Sequence, residues 1–376
     1  MSFEHPELEI GGHSIAAFAP LFVIAEIGLN HGGSVDRALA LIDAAAEAGA
    51  TAVKFQTLEA GALVAPGAPA PAHVQAGSMS EFFAQFELDE AAHRLMIERA
   101  RRHGLAVMAT PFSAASADML ARLGIDAFKI ASGDITWKAL ITRCARTRKP
   151  LVISTGMSGL NEAAQALDWA RAAGASGVAL LHCVSAYPVP QGHENLRAIG
   201  SLSQAFGVPV GLSDHAADGF SLPLAVALGA AIYERHLVLA ADDGSIDAAV
   251  SSTPAQLAEL IRAATRARAA LGSGQKVCLP AERANKLGSR RALYCTRRLA
   301  AGHRVENDDL IALRPGIGLS ADRQDDLVGL VLQRDMEPGM AFVDRDLVAA
   351  FANPSTFATA AADQSAPGPL EVDRVA

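Results

Sequence analysis

Two lysines raise the question of function. Lys54 lies in AVKFQT and Lys129 in AFKIASGD, each inside an apolar run of strand character. An ammonium buried without a partner is costly. Either each lysine meets a barrel carboxylate such as Glu26 or Glu234, or the two share an anion site. Hydroxyl residues recur at the ends of similar runs: Thr110, Ser132, Ser154, Ser185 and Ser213. One serine in such a place means little. Several on separate strands, beside two lysines, supply the donors that hold a phosphate or carboxylate. His215, ending GLSDH, and His236, in YERHL, form the second signal. A lone histidine there is more often a hydrogen-bonded core residue. A pair on adjacent strands suits a borderline divalent metal such as Mn, Co or Zn, with coordination positions left open for a Lewis-acid role. Glu26 and Asp247 add candidate acid/base or hydroxyl-binding carboxylates.

The elements that must position these residues alternate along the chain. Strand-like runs at Phe22–Gly28, Ala52–Thr57, Leu105–Phe112, Ala127–Asp134, Leu151–Gly156, Val178–Ser185, Val208–His215 and Ala231–Leu239 are mostly continuous in apolar character, as strands buried on both faces are. Helical spacing fills the stretches between them, and Gly49, Gly104, Gly124, Gly174 and Gly229 follow those helices as C-cap residues would. Eight β–α units within about 250 residues predict a (β/α)8 TIM barrel, with an open doubly wound sheet as the alternative. In a TIM barrel the active site lies at the C-terminal ends of the strands, which is where the polar residues accumulate.

The expected organisation is a barrel over 15–272, a polar linker over 273–290, a small β-rich domain over 291–350 and a disordered tail over 351–376. The Ala/Pro/Gly-rich loop Ala60–Ser80 reads as a lid or a disordered excursion. The chain has 376 residues, 51% of them hydrophobic but only 5% aromatic, so aliphatic side chains must build the core. A net charge of −8 argues against nucleic acid or an anionic membrane as partner. No apolar run reaches the ~18 residues of a membrane span. The N-terminus has no signal-peptide pattern, and four scattered cysteines fit a reduced, cytoplasmic setting.

Taken in order, AEIGLNHGG, AVKFQT, KIASGD, ISTGMS, LLHC with its following YP, GLSDH and ERHLVL resemble the sialic acid (nonulosonic acid) synthases over roughly residues 20–350. The stretch HCVSAYPVP with NLRAI also resembles spore-coat polysaccharide synthase-like members. The resemblance implies a TIM barrel followed by an antifreeze-like SAF domain, the latter carrying TRRLAAGHRVENDDLIALRPGIG. It implies condensation of phosphoenolpyruvate with an N-acylated aldose and release of phosphate. Lys54, Thr110, Lys129, Ser132, Ser154, Ser185 and Ser213 would bind phosphoenolpyruvate. His215 and His236 would hold a divalent metal, typically Mn, with Mg or Co as alternatives. Glu26, Gln56, Asp134, Tyr187 and Asp247 would contact the sugar or the attacking water. The family is a domain-swapped homodimer, so Arg314 would reach the N-acyl group in a partner's barrel.

The departures fall on the sugar side and the phosphate edge. The usual NHNG reads Asn30-His31-Gly32-Gly33, Asp134 stands where Glu is common, and Ser185 stands where Asn is frequent. Ser245-Ile246-Asp247 replaces Gly-Pro-Asp, and Gly288 replaces an apolar residue. The acceptor is thus expected to be N-acetylmannosamine, with a 2,4-diacetamido-trideoxyhexose, leading to legionaminic or pseudaminic acid, as the alternative. Two remoter readings are a Schiff-base aldolase working through Lys54 or Lys129 and a non-catalytic sugar-binding protein.

Overall fold

The computed structural model describes residues 7–17, 19–69 and 77–348, so the expected tail over 351–376 and part of the Ala60–Ser80 loop lie outside the described residues. The described flanks of that loop form the short helices Ala60–Leu63 and Met79–Ala84.

The chain divides into two compact units that meet between Gly274 and Gln275. The first opens with a hairpin of β1 (Leu8–Ile10) and β2 (His13–Ile15). Eight parallel strands follow: β3 (Phe22–Gly28), β4 (Ala52–Thr57), β5 (Ala106–Pro111), β6 (Ala127–Ile130), β7 (Leu151–Ser154), β8 (Val178–Cys183), β9 (Val210–Ser213) and β10 (Ile232–Leu237). Each pairs with the next, and β10 pairs with both β9 and β3, which closes the barrel. The fold is the TIM barrel expected from the alternating runs. Helices between the strands start where side chains can take up the free N–H groups of the first turn: Ser34, Asp89, Ser113 and Thr253 each accept a bond from the backbone three residues on.

A strand's two-residue period assigns its side chains to two layers. One set of each strand, such as Val23 and Ala25 or Val53 and Phe55, joins the helices in the large outer core. The other set faces the barrel axis and changes chemistry along the strand. At the N-terminal end it is apolar: Phe22, Ile24, Ala52, Ala106, Met108, Ala127, Val152, Ala179, Leu181 and Ile232. Leu8, Ile10 and Ile15 of the hairpin join this cluster and cover the floor of the barrel. Continuing the same parity toward the C-terminal end gives Glu26, Lys54, Gln56, Thr110, Lys129, Ser154, Ser213, Glu234 and His236. The apolar half supplies the core and the polar half supplies the site.

The sequence reading runs several strands too far. Paired backbone ends at Ile130, Cys183 and Ser213, so Asp134, Ser185 and His215 stand on the segments beyond. After Ile130 the chain tightens into a 3-10 turn, Ser132–Asp134, closed by the Asp134 N–H on the Ala131 carbonyl at 3.0 Å. These segments carry the polar groups over the mouth, which a straight strand would not do.

The second unit holds small antiparallel pairs, including Ala292–Cys295 with Leu310–Leu313, around a core of Leu293, Leu299, Val305, Leu327, Met336 and Phe342. It contains an internal repeat that the sequence reading missed. One constant offset carries Arg297 onto Arg334, Leu299 onto Met336, Gly302 onto Gly339 and Asp309 onto Asp346. Leu299 and Met336 exchange backbone hydrogen bonds of 2.9 and 2.8 Å. In each half a fully buried aspartate accepts the N–H three residues before it and pairs with its arginine.

Candidate active site

A cavity of about 400 Å³, within the usual range for small-molecule sites, opens at the C-terminal end of the barrel. Lys54, Gln56, Thr110, Lys129, Ser132, Ser154, Ser185, Tyr187, Ser213, His215 and His236 all line it. Glu234, expected only as a possible ion-pair partner of the lysines, lines it too, as do Cys183, Phe112 and Met157, which the sequence gives no role in the site. Glu234 was legible: it lies two residues before His236 on one strand, so both side chains face inward.

At the bottom of the cavity the two explanations for the buried lysines hold at once. The Lys54 ammonium contacts the Glu26 carboxylate and lies 3.3 Å from Glu234 Oε2. Lys129 Nζ lies 3.8 Å from Glu234 Oε1 and donates to Ser154 Oγ at 2.5 Å and to the Ile130 carbonyl at 3.0 Å. Ser213 donates to Glu234 Oε1 at 2.9 Å. Burial would raise the Glu234 carboxyl, but the ammonium groups of Lys129 and Lys54 outweigh it and hold the group below the usual carboxylate range. Burial, opposed by Glu234 and reinforced by Lys129, brings Lys54 down to about 8. Both lysines are therefore paired and still border the cavity. Thr110 Oγ1 beside them is buried with no hydrogen-bond partner, a donor left for a ligand.

Ser132 and Ser185 approach the cavity from two different segments past the strand ends. Ser132 Oγ accepts the Gly156 N–H at 3.0 Å. A β-carbon on Gly156 would lie 2.7 Å from Ser132 Oγ and 2.2 Å from Ser185 Oγ, so only glycine leaves room for both hydroxyls.

The imidazoles of His215 and His236 lie 5.6 Å apart between ring centroids. The Tyr187 ring stacks on His215 at 4.2 Å with a 31° tilt. Burial and the neighbouring His236 lower His215 to about 3, and burial and the Lys54 charge lower His236 to about 3. Both rings are thus neutral near pH 7, the form that ligates metal. His215 Nδ1 donates to the Val184 carbonyl at 3.1 Å, which leaves Nε2 as the lone-pair nitrogen. His236 Nδ1 is buried, has no hydrogen-bond partner and lies 3.5 Å from Asp247 Oδ2. Two neutral imidazoles, one with an orphaned nitrogen beside a carboxylate, fit a divalent cation. The described residues hold no cluster of three or more histidine, cysteine or acidic side chains arranged for a metal. Any cation here would leave several positions to substrate and water.

Burial also raises Asp247, against the opposing effects of His215 and Lys54. Asn30 fixes its loop: Oδ1 accepts the Asp247 N–H at 3.1 Å, while Nδ2 donates to the Leu237 carbonyl at 2.9 Å and Ser251 Oγ at 3.0 Å. Burial raises Asp134, which stands half-buried on the turn after β6, outside the cavity lining. Glu26 is the register partner of Lys54 on the neighbouring strand and, like Asp247, is not among the residues that line the cavity, and Arg314 follows Leu310–Leu313 in the second unit.

The closed barrel, the polar half of its axis and the separate C-terminal unit define a two-domain TIM-barrel enzyme. The chain belongs to the NeuB family, whose model matches residues 41–276, and an SAF domain model matches residues 290–348. It is 35% identical over 328 residues to an N,N'-diacetyllegionaminic acid synthase of Legionella pneumophila, covering 85% of this chain and 92% of the relative. It is 31% identical over 333 residues to a pseudaminic acid synthase of Campylobacter jejuni, covering 87% and 96%. Among solved structures it is similar to an N-acetylneuraminic acid synthetase from Leptospira borgpetersenii, with TM-score 0.69, 31% identity, and 76% and 96% of the two chains covered. It is also similar to a putative spore coat polysaccharide biosynthesis protein E from Chromobacterium violaceum, with TM-score 0.75, 28% identity, and 88% and 100% covered.

Proposed function

We propose that this enzyme condenses phosphoenolpyruvate with an N-acylated aldose and releases phosphate, giving a nonulosonic acid. The observation that carries the reading is the convergence of Lys54, Lys129, the strand-end hydroxyls, His215 and His236 on one cavity.

Carbon three of phosphoenolpyruvate bonds to the aldehyde carbon, and the carbonyl oxygen takes a proton. Water adds to carbon two and loses a proton. The bond from carbon two to the phosphate oxygen then breaks as the new hydroxyl on carbon two gives its proton to the leaving phosphate, leaving a 2-keto acid and inorganic phosphate. Lys54, Lys129 and the hydroxyls of Thr110, Ser132, Ser154, Ser185 and Ser213 hold the carboxylate and phosphate, and their charge stabilises the departing anion. Asp247, 3.5 Å from His236 Nδ1, lies beside the proposed metal pair and contacts the sugar hydroxyl formed there. Glu26 takes the proton of the attacking water beside Lys54. Gln56, Asp134 and Tyr187 contact the sugar. A divalent cation held by His215 and His236, with Mn as first choice and Mg or Co as alternatives, would supply electrophilic activation of the aldehyde.

N-acetylmannosamine is the first acceptor to test, and a 2,4-diacetamido-trideoxyhexose is the second. The legionaminic and pseudaminic acid synthases among the relatives support the latter. We further propose a homodimer in which the SAF unit of one copy caps the barrel of the other and presents Arg314 to the N-acyl group. A reduced cytoplasmic setting agrees with four free cysteines, and no helix among the described residues is long and apolar enough to cross a membrane. The test is phosphate release from phosphoenolpyruvate with a panel of N-acylated hexoses and Mn2+. Release dependent on one of these sugars is expected. Failure with every one of them, in protein shown to be folded, overturns the reading.

A further inference from the structure

Arg235 is the largest fully buried side chain among the described residues, 1% exposed, and it plays no part in the chemistry above. It lies on β10 between Glu234 and His236. Those two face the axis, so Arg235 points outward into the layer between barrel and helices. Each of its three nitrogens donates a hydrogen bond. Nε donates to Ser252 Oγ at 3.1 Å, Nη1 to the carbonyls of Asp214, at 3.3 Å, and Ala216, and Nη2 to the Ala217 carbonyl at 3.3 Å.

Asp214 and Ala216 are the residues on either side of His215. The backbone of β9 leaves its ladder at Ser213, and beyond it the segment that carries His215 is held by two backbone bonds, the Asp214 N–H on the Glu234 carbonyl and the Val189 N–H on the His215 carbonyl, both 2.9 Å. One side chain, covalently next to His236, grips the carbonyls that flank His215. We propose that Arg235 is a positioning residue that sets the span between the two imidazoles by tying the His215 segment to β10.

Charge neutralisation alone is the competing account, because Asp214 is buried beside Arg235. The geometry is against it. The closest guanidinium approach to the Asp214 carboxylate is 3.7 Å, beyond hydrogen-bonding range, whereas the four donor contacts go to backbone carbonyls and Ser252. The carboxylate is served instead by the Tyr233 hydroxyl at 3.0 Å and the Ala216 N–H at 2.9 Å. Several divergent acceptors need the planar fork of arginine, and a lysine ammonium cannot span them.

The inference rests on His215 and His236 being a metal pair, and its test separates the two ideas. The full chain carrying Arg235→Lys keeps the charge and loses the fork. Amide exchange is expected to quicken at least tenfold in residues 212–218 and to stay unchanged in residues 151–156. The Mn2+ dissociation constant, measured without substrates, is expected to rise 10- to 100-fold, the range for loss of a group that orients a ligand. Phosphoenolpyruvate binding in EDTA is expected to fall clearly less than Mn2+ binding, because Lys54, Lys129 and Ser154 lie on other strands and Ser213 is the one proposed phosphoenolpyruvate contact within residues 212–218. Ser252→Ala removes one acceptor and keeps the charge in place. It is expected to move exchange and Mn2+ affinity in the same direction by at least twofold, and it decides the matter if the lysine variant does not fold. Wild-type exchange in residues 212–218 of a folded variant overturns the proposal. So does a rise shared by the whole barrel, or a loss of phosphoenolpyruvate affinity equal to the loss for Mn2+. If wild-type protein binds no Mn2+ that His215→Ala abolishes, the metal reading fails, and the exchange result alone judges the tie.

Discussion

The ammonium of Lys54 stands 3.3 Å from Glu234 Oε2 inside the barrel, so the cation proposed to receive substrate is already paired in the free protein. An incoming anion shares this lysine with carboxylates and does not meet a bare charge. Burial lowers Lys54 to about 8, even with Glu234 raising it and Lys129 adding to the fall. Below that pH the lysine is a cation and binds anions; above it the charge is lost. The expected outcome is a basic limb near pH 8 in kcat/KM for phosphoenolpyruvate, which reports groups of the free enzyme. The folded value lies below that of a free lysine, so the unfolded chain binds more protons between about 8 and 10.5, and this group adds stability as pH rises through that window. A profile flat to pH 9.5 would show that Lys54 is not the group that meets the anion.

Gly156→Ala should be far more harmful than a methyl group usually is. The new β-carbon would fall 2.2 Å from Ser185 Oγ and 2.7 Å from Ser132 Oγ, distances that force one hydroxyl or the other aside. Gly156 is buried in the turn that follows β7 and belongs to none of the apolar clusters, so we expect a folded protein whose KM for phosphoenolpyruvate rises about tenfold or more, corresponding to roughly 1.4 kcal/mol per factor of ten. Wild-type KM in a folded G156A protein would remove Ser132 and Ser185 from the anion site.

Most of the barrel, and many of the residues that line its cavity, are readable in sequence because a parallel barrel leaves a plain trace. Its strands are apolar throughout, and their polar exceptions gather at one end. Lys54 and Lys129 stood out as charges in runs where a charge is expensive. The parts that were missed depend on contacts distant in sequence. Asn30 looks like one more loop residue until its amide is seen joining Leu237, Asp247 and Ser251. The hairpin Leu8–Ile15 has too few residues to show a period, and its role as a floor comes only from the cluster it joins. Strand ends read late because polar residues past the last ladder bond, such as Asp214 and His215 after Ser213, follow the apolar run with no glycine or proline to mark the break.

The lysine chemistry also separates synthase from aldolase. A lysine lowered to about 8 is a better nucleophile than a free one, so Schiff-base formation deserves a direct trial. We expect borohydride with pyruvate to leave no adduct by mass spectrometry, because Lys54 is held by Glu26 and Glu234 on the barrel axis. EDTA should abolish turnover and Mn2+ restore it. His236→Ala should lower kcat by at least a hundredfold while the melting temperature stays within a few degrees, since its Nδ1 makes no hydrogen bond that the fold would lose. A trapped adduct, or full activity in EDTA, would favour the aldolase.

The second unit should be the acid-sensitive part of the chain. Asp309 is fully buried, and its Oδ2 accepts the Glu306 N–H at 2.9 Å and pairs with His303 at 2.7 Å, while Oδ1 meets Arg297 at 2.7 Å. Burial alone would raise this carboxyl, but the Glu306 amide and the His303 and Arg297 charges outweigh it and lower the group. A lowered folded value means that its stabilisation is present above the unfolded value of about 3.9 and is lost as pH falls through the folded one. Asp309→Asn keeps the shape and removes the charge, at a cost of about 2 kcal/mol for hydrogen bonds to an ionised group. Amide exchange in residues 292–313 of the intact chain should therefore be faster in the variant at pH 7. With intrinsic exchange rates corrected for pH, the gap should close as pH falls from 7 to below the ordinary aspartate range, where the wild-type aspartate also becomes neutral. A gap of constant size across that range would mean that Asp309 acts by shape alone.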